Sequence, residues 1–294
     1  MFLRDRQKIK MLSRDQKETS LHANMYFIIL LLLLGILFSP IYPALYHDWF
    51  WYNDNSHGIL VPFISLYLIW KNRHIINLNE VQTSYIGLGI FLFGLLAYVI
   101  GFGGRIEVLS RAAFVTAILG LILYNYGTKI FSNIAFPLFF LYFMIPFPVS
   151  IENIVSFRLQ LWVTQISEII INALSITVLR EGNILHFANC SLEVAEACSG
   201  IRSLTAYIML GCLFGYMMQG SFFRRSTMVL IAIPLAILIN ITRVVGTGLL
   251  ANYFGPKVAL GFLHEFSGAV IFIAGFLLFF IIFQLIDKKD EPSA

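Results

Sequence analysis

Cys198, Arg243 and His264 are the side chains of this sequence best suited to covalent chemistry, and each lies beside or within a long apolar run. Cys198 belongs to Ala195-Glu196-Ala197-Cys198-Ser199-Gly200-Ile201-Arg202, where an apolar helix is expected to begin. A thiol in a helix's first turn faces the positive end of the helix dipole, which favours the reactive thiolate. Arg202, four residues on, shares that face and adds positive potential, so Arg202 and Glu196 are read as supporting residues. Two plainer readings compete: a small residue for close helix packing, the role expected of Cys212, or a disulfide with Cys190 on an oxidising side of a membrane. Arg243 lies in Asn240-Ile241-Thr242-Arg243-Val244-Val245-Gly246, inside an apolar run. A snorkelling arginine is the alternative, but Asn240 one helical turn below extends the polar stripe away from lipid. His264, in Phe262-Leu263-His264-Glu265-Phe266-Ser267-Gly268, opens the last run, where a capping or headgroup contact is the competing role.

Depth links the three. Counted from the inner ends of their runs, Cys198 lies about 21 residues up, Arg243 about 17 and His264 about 22. At ~1.5 Å per residue their levels differ by less than about 8 Å, within reach of an arginine side chain. A thiol, a guanidinium and an imidazole at one level supply a nucleophile, an anion binder and an acid/base, the parts of a cysteine acyl-transfer site.

The elements that must position them follow from composition. The 294 residues are 59% hydrophobic and only 12% charged, whereas soluble domains run near 45–50% apolar and about 25% charged. That excludes a soluble enzyme, a disordered chain and a nucleic-acid binder. At roughly 20 apolar residues per span, the sequence reads as an all-α polytopic membrane protein. Eight runs stand out, at about 25–45, 56–70, 85–102, 111–127, 130–149, 198–219, 227–250 and 265–286. With the N-terminus inside, the inner segments hold Arg4, Arg6, Lys8, Lys10, Arg14, Lys17, Lys71, Arg73, Lys129, Arg224, Arg225, Lys288 and Lys289. The outer ones hold only Arg105, Arg111, Arg158, Arg180, Arg202, Arg243 and Lys257. Cytoplasmic loops carry the Lys/Arg excess, which fits an N-in, C-in orientation.

The long basic segment 1–24 and the absence of an A-x-A site after the first run point to an uncleaved first span rather than a signal peptide. The expected organisation is a basic cytoplasmic segment 1–24, one transmembrane domain 25–286 and a cytoplasmic tail 287–294. Between runs five and six, Val155, Leu159, Trp162, Ile166, Ile169 and Ala173 recur at helical spacing with Arg158, Gln160, Gln165 and Glu168 between them. This predicts an amphipathic helix on the outer face. Gly182–Ala197 alternates weakly around Asn189, compatible with a short hairpin. Cys190, Cys198 and Cys212 are too few for a disulfide framework and lack metal spacing, so neither metal nor cofactor is expected.

The run AEACSGIRSL, then NITR about 40 residues later, then FLHEFSG about 20 residues after that, resembles the exosortase/archaeosortase family of membrane transpeptidases. Asn55-Ser56-His57-Gly58-Ile59-Leu60-Val61-Pro62 extends the likeness into the first outer loop. The resemblance implies that Cys198 is the nucleophile, Arg243 the essential arginine and His264 the third member. Arginine is usual at the third place in archaeal relatives, so His264 points to the bacterial, exopolysaccharide-associated branch, here without the extra C-terminal periplasmic domain of some members. It also implies the substrates: exported proteins ending in a short Pro-Glu-Pro-like motif, one membrane helix and basic residues, cut by this thiol protease at the periplasmic face of the cell inner membrane. The acceptor, amine or water, stays open. Ser56 and His57 read as a fourth site element, a headgroup contact or an N-cap for the second span.

A purely hydrolytic intramembrane protease fits the same residues, and a transporter fits less well because polar groups gather at the outer face rather than at mid-depth. Reporter fusions after Arg225 and after Ala294 are expected to read cytoplasmic. An external reading after Arg225 would make residues 154–179 a membrane crossing and overturn the site assignment.

Overall fold

The computed structural model describes residues 25–51, 53–74, 81–194, 201–255 and 262–287, excluding the side chains of 53–54 and 262–267. It divides into two compact units, one up to Pro146 and one from Phe147 onward. The helices of the first are α1 (Met25–Leu37), α2 (Tyr42–Trp51), α3 (Leu60–Lys71), α4 (Tyr85–Gly103) and α5 (Glu107–Phe140). Those of the second are α6 (Val149–Ala173), α7 (Ile201–Met217), α8 (Phe222–Phe254) and α9 (Phe262–Asp287). Strands β1 (Val178–Glu181), β2 (Ile184–Phe187) and β3 (Ser191–Glu193) lie between α6 and α7.

Five described helical segments are long and apolar enough to cross a membrane, and a sixth if the α1–α2 pair, bent by 47°, is one span. This is an all-α, multi-pass membrane protein carrying one small sheet.

In the first unit the α1–α2 bend falls at Pro40 and Pro43, which lack the N–H needed to continue a helix. The carbonyl of Leu37, left over by the break, accepts the Tyr98 hydroxyl at 3.1 Å, and the Phe38 ring packs against that tyrosine, tilted by 37° with centroids 4.0 Å apart. Backbone polar groups without water must find such internal partners. Arg111 is buried between Asp48 and Glu107, each at 2.7 Å.

α4 and α5 pack antiparallel through glycines repeating every seven residues, Gly87, Gly94 and Gly101 on one helix facing Gly120 and its neighbours on the other. A Cβ on Gly94 would lie 2.8 Å from the Ala117 nitrogen, and one on Gly101 2.8 Å from the Ser110 nitrogen. At Gly87 and Gly120 it would overlap the backbone of Tyr124 and Phe91. Small residues that let backbones touch are a principal source of helix association in lipid. α5 joins the runs expected at 111–127 and 130–149, and its break sits where they were expected to part: Gly127 has φ 78° and ψ 178°.

In the second unit α7 and α8 also run antiparallel, and Gly211 and Gly215 make the contact. Their Cβ atoms would lie 3.1 Å from the Met228 carbonyl oxygen and 2.7 Å from that of Arg225. The Gly211-x-x-x-Gly215 pattern therefore serves packing within the chain. Tyr207 and Phe214 of α7 pack with Phe279 and Phe283 of α9 and Met228 of α8 to fill this core.

The sheet is a three-stranded antiparallel meander rather than a hairpin, and its first strand precedes the stretch expected to form one. β1 and β2 are joined by a two-residue turn with Gly182 at φ 62°, suited to a tight hairpin. β1 is tied to α6: Asn172 both donates to the Val178 carbonyl and accepts from its N–H, each at 3.1 Å, while Glu168 accepts from the Arg180 N–H and Nε at 3.2 Å.

α6 has the apolar stripe its spacing foretold, but Val155, Trp162, Ile166 and Ile169 face outward. The side packed inward is largely polar, with Ser156, Gln160, Thr164 and Ser167 buried alongside Val163 and Ile171. Its length and composition also qualify it as a candidate crossing.

Gly120→Val is expected to lower membrane accumulation and thermal stability in detergent, at a cost of about 1–3 kcal/mol or more from overpacking against the Phe91 backbone. Gly89→Ala on α4, where a Cβ meets nothing within 4 Å, is expected to be neutral.

Candidate functional site

The 33 residues of α8 form one long helix, with the Ser221 hydroxyl accepting from the Arg224 N–H at its N-terminus. Near its other end one face rests on the sheet. Val178, Leu185, Phe187, Leu192 and Val194 pack with Ile241 and Val244 of α8 and with Val163 and Ile171 of α6. Gly248 makes room for the central strand, since its Cβ would stand 3.0 Å from the Phe187 ring. Cys190 carries a free thiol that donates to the Ala251 carbonyl at 3.6 Å. With that face fixed, rotation of α8 is fixed, and so is the direction of Asn240 and Arg243.

Asn240 is buried, at 2% exposure, and Arg243 is half-buried one turn beyond it. The Arg243 guanidinium lies against Gly268 of α9: a Cβ there would stand 3.1 Å from Nη2, 3.2 Å from Cζ and 3.4 Å from Nε. Thr247 donates its hydroxyl to the Arg243 carbonyl at 2.9 Å.

α7 and α9 are tied in parallel register by the fully buried Tyr207, whose hydroxyl donates to the Phe272 carbonyl at 3.0 Å. Phe214 and Phe279, two turns deeper, keep the same offset with ring centroids 5.3 Å apart. Carried one turn along both helices toward their N-termini, that register sets Ser203 of α7 level with Gly268. His264 lies in the first turn of α9, one turn from Gly268, and its side chain is outside the described residues. Cys198 and Glu196 also lie outside them, and the described part of α7 starts at Ile201.

Of the expected site residues, the structure sets Arg243 against α9 at Gly268, with Asn240 buried one turn away on α8. Arg202 is exposed on the first turn of α7, where its carbonyl accepts from the Thr205 hydroxyl at 3.1 Å. Ser56 and His57 fall in the first unit, in a 3-10 segment Asn53–Ile59. Neither is the N-cap of the following helix: that position of α3 is Ile59, whose side chain makes no cap bond. The glycine of that motif is explained by packing, because Trp49 donates its indole N–H to the Met144 carbonyl at 3.0 Å directly over Gly58. Among the described residues, no three His, Cys, Asp or Glu side chains gather as metal ligands would.

The family question is settled by a sequence profile. The profile of the transmembrane exosortases (EpsH type) matches residues 49–281, which covers both units and every candidate residue from Ser56 to His264. The chain belongs to the transmembrane exosortase family. No curated protein and no solved structure matches the chain. Exosortases are membrane cysteine peptidases and transpeptidases that sort exported proteins. Sequence reading passed over Gly268 as a contact of Arg243, although the residue stands in the FLHEFSG run. Nothing in one sequence marks which side chain a glycine faces across a helix pair.

Cys190→Ser is expected to retain near-normal substrate processing, since a hydroxyl keeps the donor that faces the Ala251 carbonyl. A loss of processing accompanied by a mobility change on non-reducing gels would instead mark Cys190 as a disulfide partner.

Proposed function

We propose that this exosortase cleaves the C-terminal sorting signal of exported proteins through a Cys198 acyl-enzyme, at the periplasmic face of the inner membrane. The observation that carries the reading is the setting of Arg243. Its guanidinium is turned onto the neighbouring helix α9, one turn from His264, beside the buried Asn240. A snorkelling arginine would instead send its charge along the lipid-facing side.

In the proposed sequence the Cys198 thiolate attacks the scissile carbonyl carbon and a C–S bond forms. Arg243 holds the developing oxyanion, or the thiolate before attack, through its planar donors. The C–N bond breaks as His264 gives its proton to the departing amine, which leaves a thioester. An amine or water then attacks the thioester, returns a proton to His264 and releases the thiolate. The substrate's recognition motif sits just outside its own membrane helix, and the basic residues after that helix keep its other end inside. A site at the outer ends of α7, α8 and α9 is where such a motif arrives.

Cys198→Ala is expected to abolish processing of a tagged substrate while the protein still accumulates. Arg243→Lys and Arg243→Ala are both expected to lose on the order of 10²–10³ in rate, because a single ammonium cannot replace the bidentate fork. Arg225→Lys, exposed at the other end of α8, is the neutral control. Near-normal turnover of Arg243→Lys would reduce the residue's part to charge alone, and processing by Cys198→Ala would end the acyl-enzyme reading.

A further inference from the structure

We propose that Gly268 is a positioning residue for Arg243: the bare backbone of α9 at this point is the surface against which the guanidinium is set. The inference rests on the reading of Arg243 as the anion-binding residue, and it assigns a role to a position that the mechanism above does not use. Three atoms of one guanidinium, Nη2, Cζ and Nε, lie at 3.1, 3.2 and 3.4 Å from where a Cβ would stand. Near-equal distances to these three atoms mean that the plane of the group is laid over Gly268 rather than touching it with one tip. Nothing larger than a hydrogen fits between them without moving the charge.

The energetics separate this contact from the other close glycines. At Gly94, Gly101 or Gly215 a Cβ would meet backbone atoms of a packed partner helix, which cannot give way without parting the helices. At Gly275, one heptad deeper on α9, it would overlap Ile239 and the hydroxyl of Tyr207 inside the aromatic core. At Gly268 the three nearest atoms it would meet all belong to the far end of a long, flexible side chain. A methyl there therefore leaves the fold intact and displaces the guanidinium by a few tenths of an ångström. In a catalytic site that is enough to matter, since a misplacement of about 1 Å can cost on the order of 10²-fold.

The test uses the full chain in membranes with a tagged substrate, and reads accumulation, kcat and KM for Gly268→Ala and Gly268→Ser. Both variants are expected to accumulate normally and to lose roughly tenfold in kcat with little change in KM, a group displaced from its transition-state position losing rate rather than uniform binding. Gly246→Ala, on α8 where a Cβ meets nothing within 4 Å, is expected to be silent. Gly275→Ala is expected to lower accumulation but not turnover per folded molecule.

The decisive measurement is a double-mutant cycle. If Gly268 acts through the guanidinium, Gly268→Ala adds no further loss in an Arg243→Lys background, because residues in one contact do not act additively. Full activity of Gly268→Ala and Gly268→Ser beside a dead Arg243→Ala overturns the positioning role and leaves the arginine's role standing. Additive losses in the cycle also overturn it. Full activity of both Arg243 variants ends the underlying reading of Arg243 whatever Gly268 does.

Discussion

Helices in this protein approach one another to backbone contact, and glycine is what permits it. Lipid offers no hydrophobic gain for pushing two apolar helices together, so association has to come from dense packing and from polar contacts inside the bundle. The chain places glycines at the contact lines: Gly87, Gly94, Gly101 and Gly120 between α4 and α5, Gly211 and Gly215 between α7 and α8, and Gly268 and Gly275 where α9 meets its neighbours. The seven-residue interval between Gly87, Gly94 and Gly101, and between Gly268 and Gly275, is two turns of a helix, so each set lies on one face. Large phenylalanines then fill the space these lines leave in the aromatic core of the second unit.

The same solvent dictates where polarity goes. α6 turns Ser156, Gln160, Thr164 and Ser167 inward and Trp162, Ile166 and Ile169 outward, the reverse of a helix on a water-soluble protein. Where a helix is broken, the chain supplies a partner for the freed carbonyl, as Tyr98 does for Leu37. Arg111 and Arg180 are tied up in ion pairs with Asp48, Glu107 and Glu168.

Much of this was legible in the residues. Long apolar runs identify the membrane class, and the Gly127 break coincides with the gap between two of those runs because a glycine at positive φ is itself a boundary signal. The helical period of α6 was readable, but which of its faces is inward was not: amphipathicity gives two sides, and only the neighbours decide which one packs against the rest of the unit. The sheet was half visible. β2 and β3 alternate, whereas β1 (Val178-Leu179-Arg180-Glu181) is carried by Asn172 and Glu168 of the preceding helix, a tertiary support that no local pattern records. The order of Cys198, Arg243 and His264 was legible as a family pattern, and the profile match bears out the family. Ser56 and His57 were open to three roles, site element, headgroup contact or N-cap, and the N-cap position of α3 belongs to Ile59 instead, while Trp49 packs over Gly58 of the same motif.

The two glycines of α9 show how one packing device serves opposite ends. Gly268 and Gly275 lie on the same face, seven residues apart, and meet side chains of α8 that are four residues apart, Arg243 and Ile239. At the deeper position the vacated space is filled by Ile239 and Tyr207, and the result is ordinary apolar packing within the core. At the outer position it is filled by a guanidinium, a group whose charge is permanent and whose hydration is weak enough to let it lie against a backbone. An ammonium on a lysine stem is a compact, strongly hydrated point charge, and it gains little from a flat surface. Along this face the packing changes character with one α8 side chain, from Ile239 to Arg243, one turn from the position of His264 in the first turn of α9. A helix pair close enough to pack through glycine has, at this end, the geometry needed to hold a cation still.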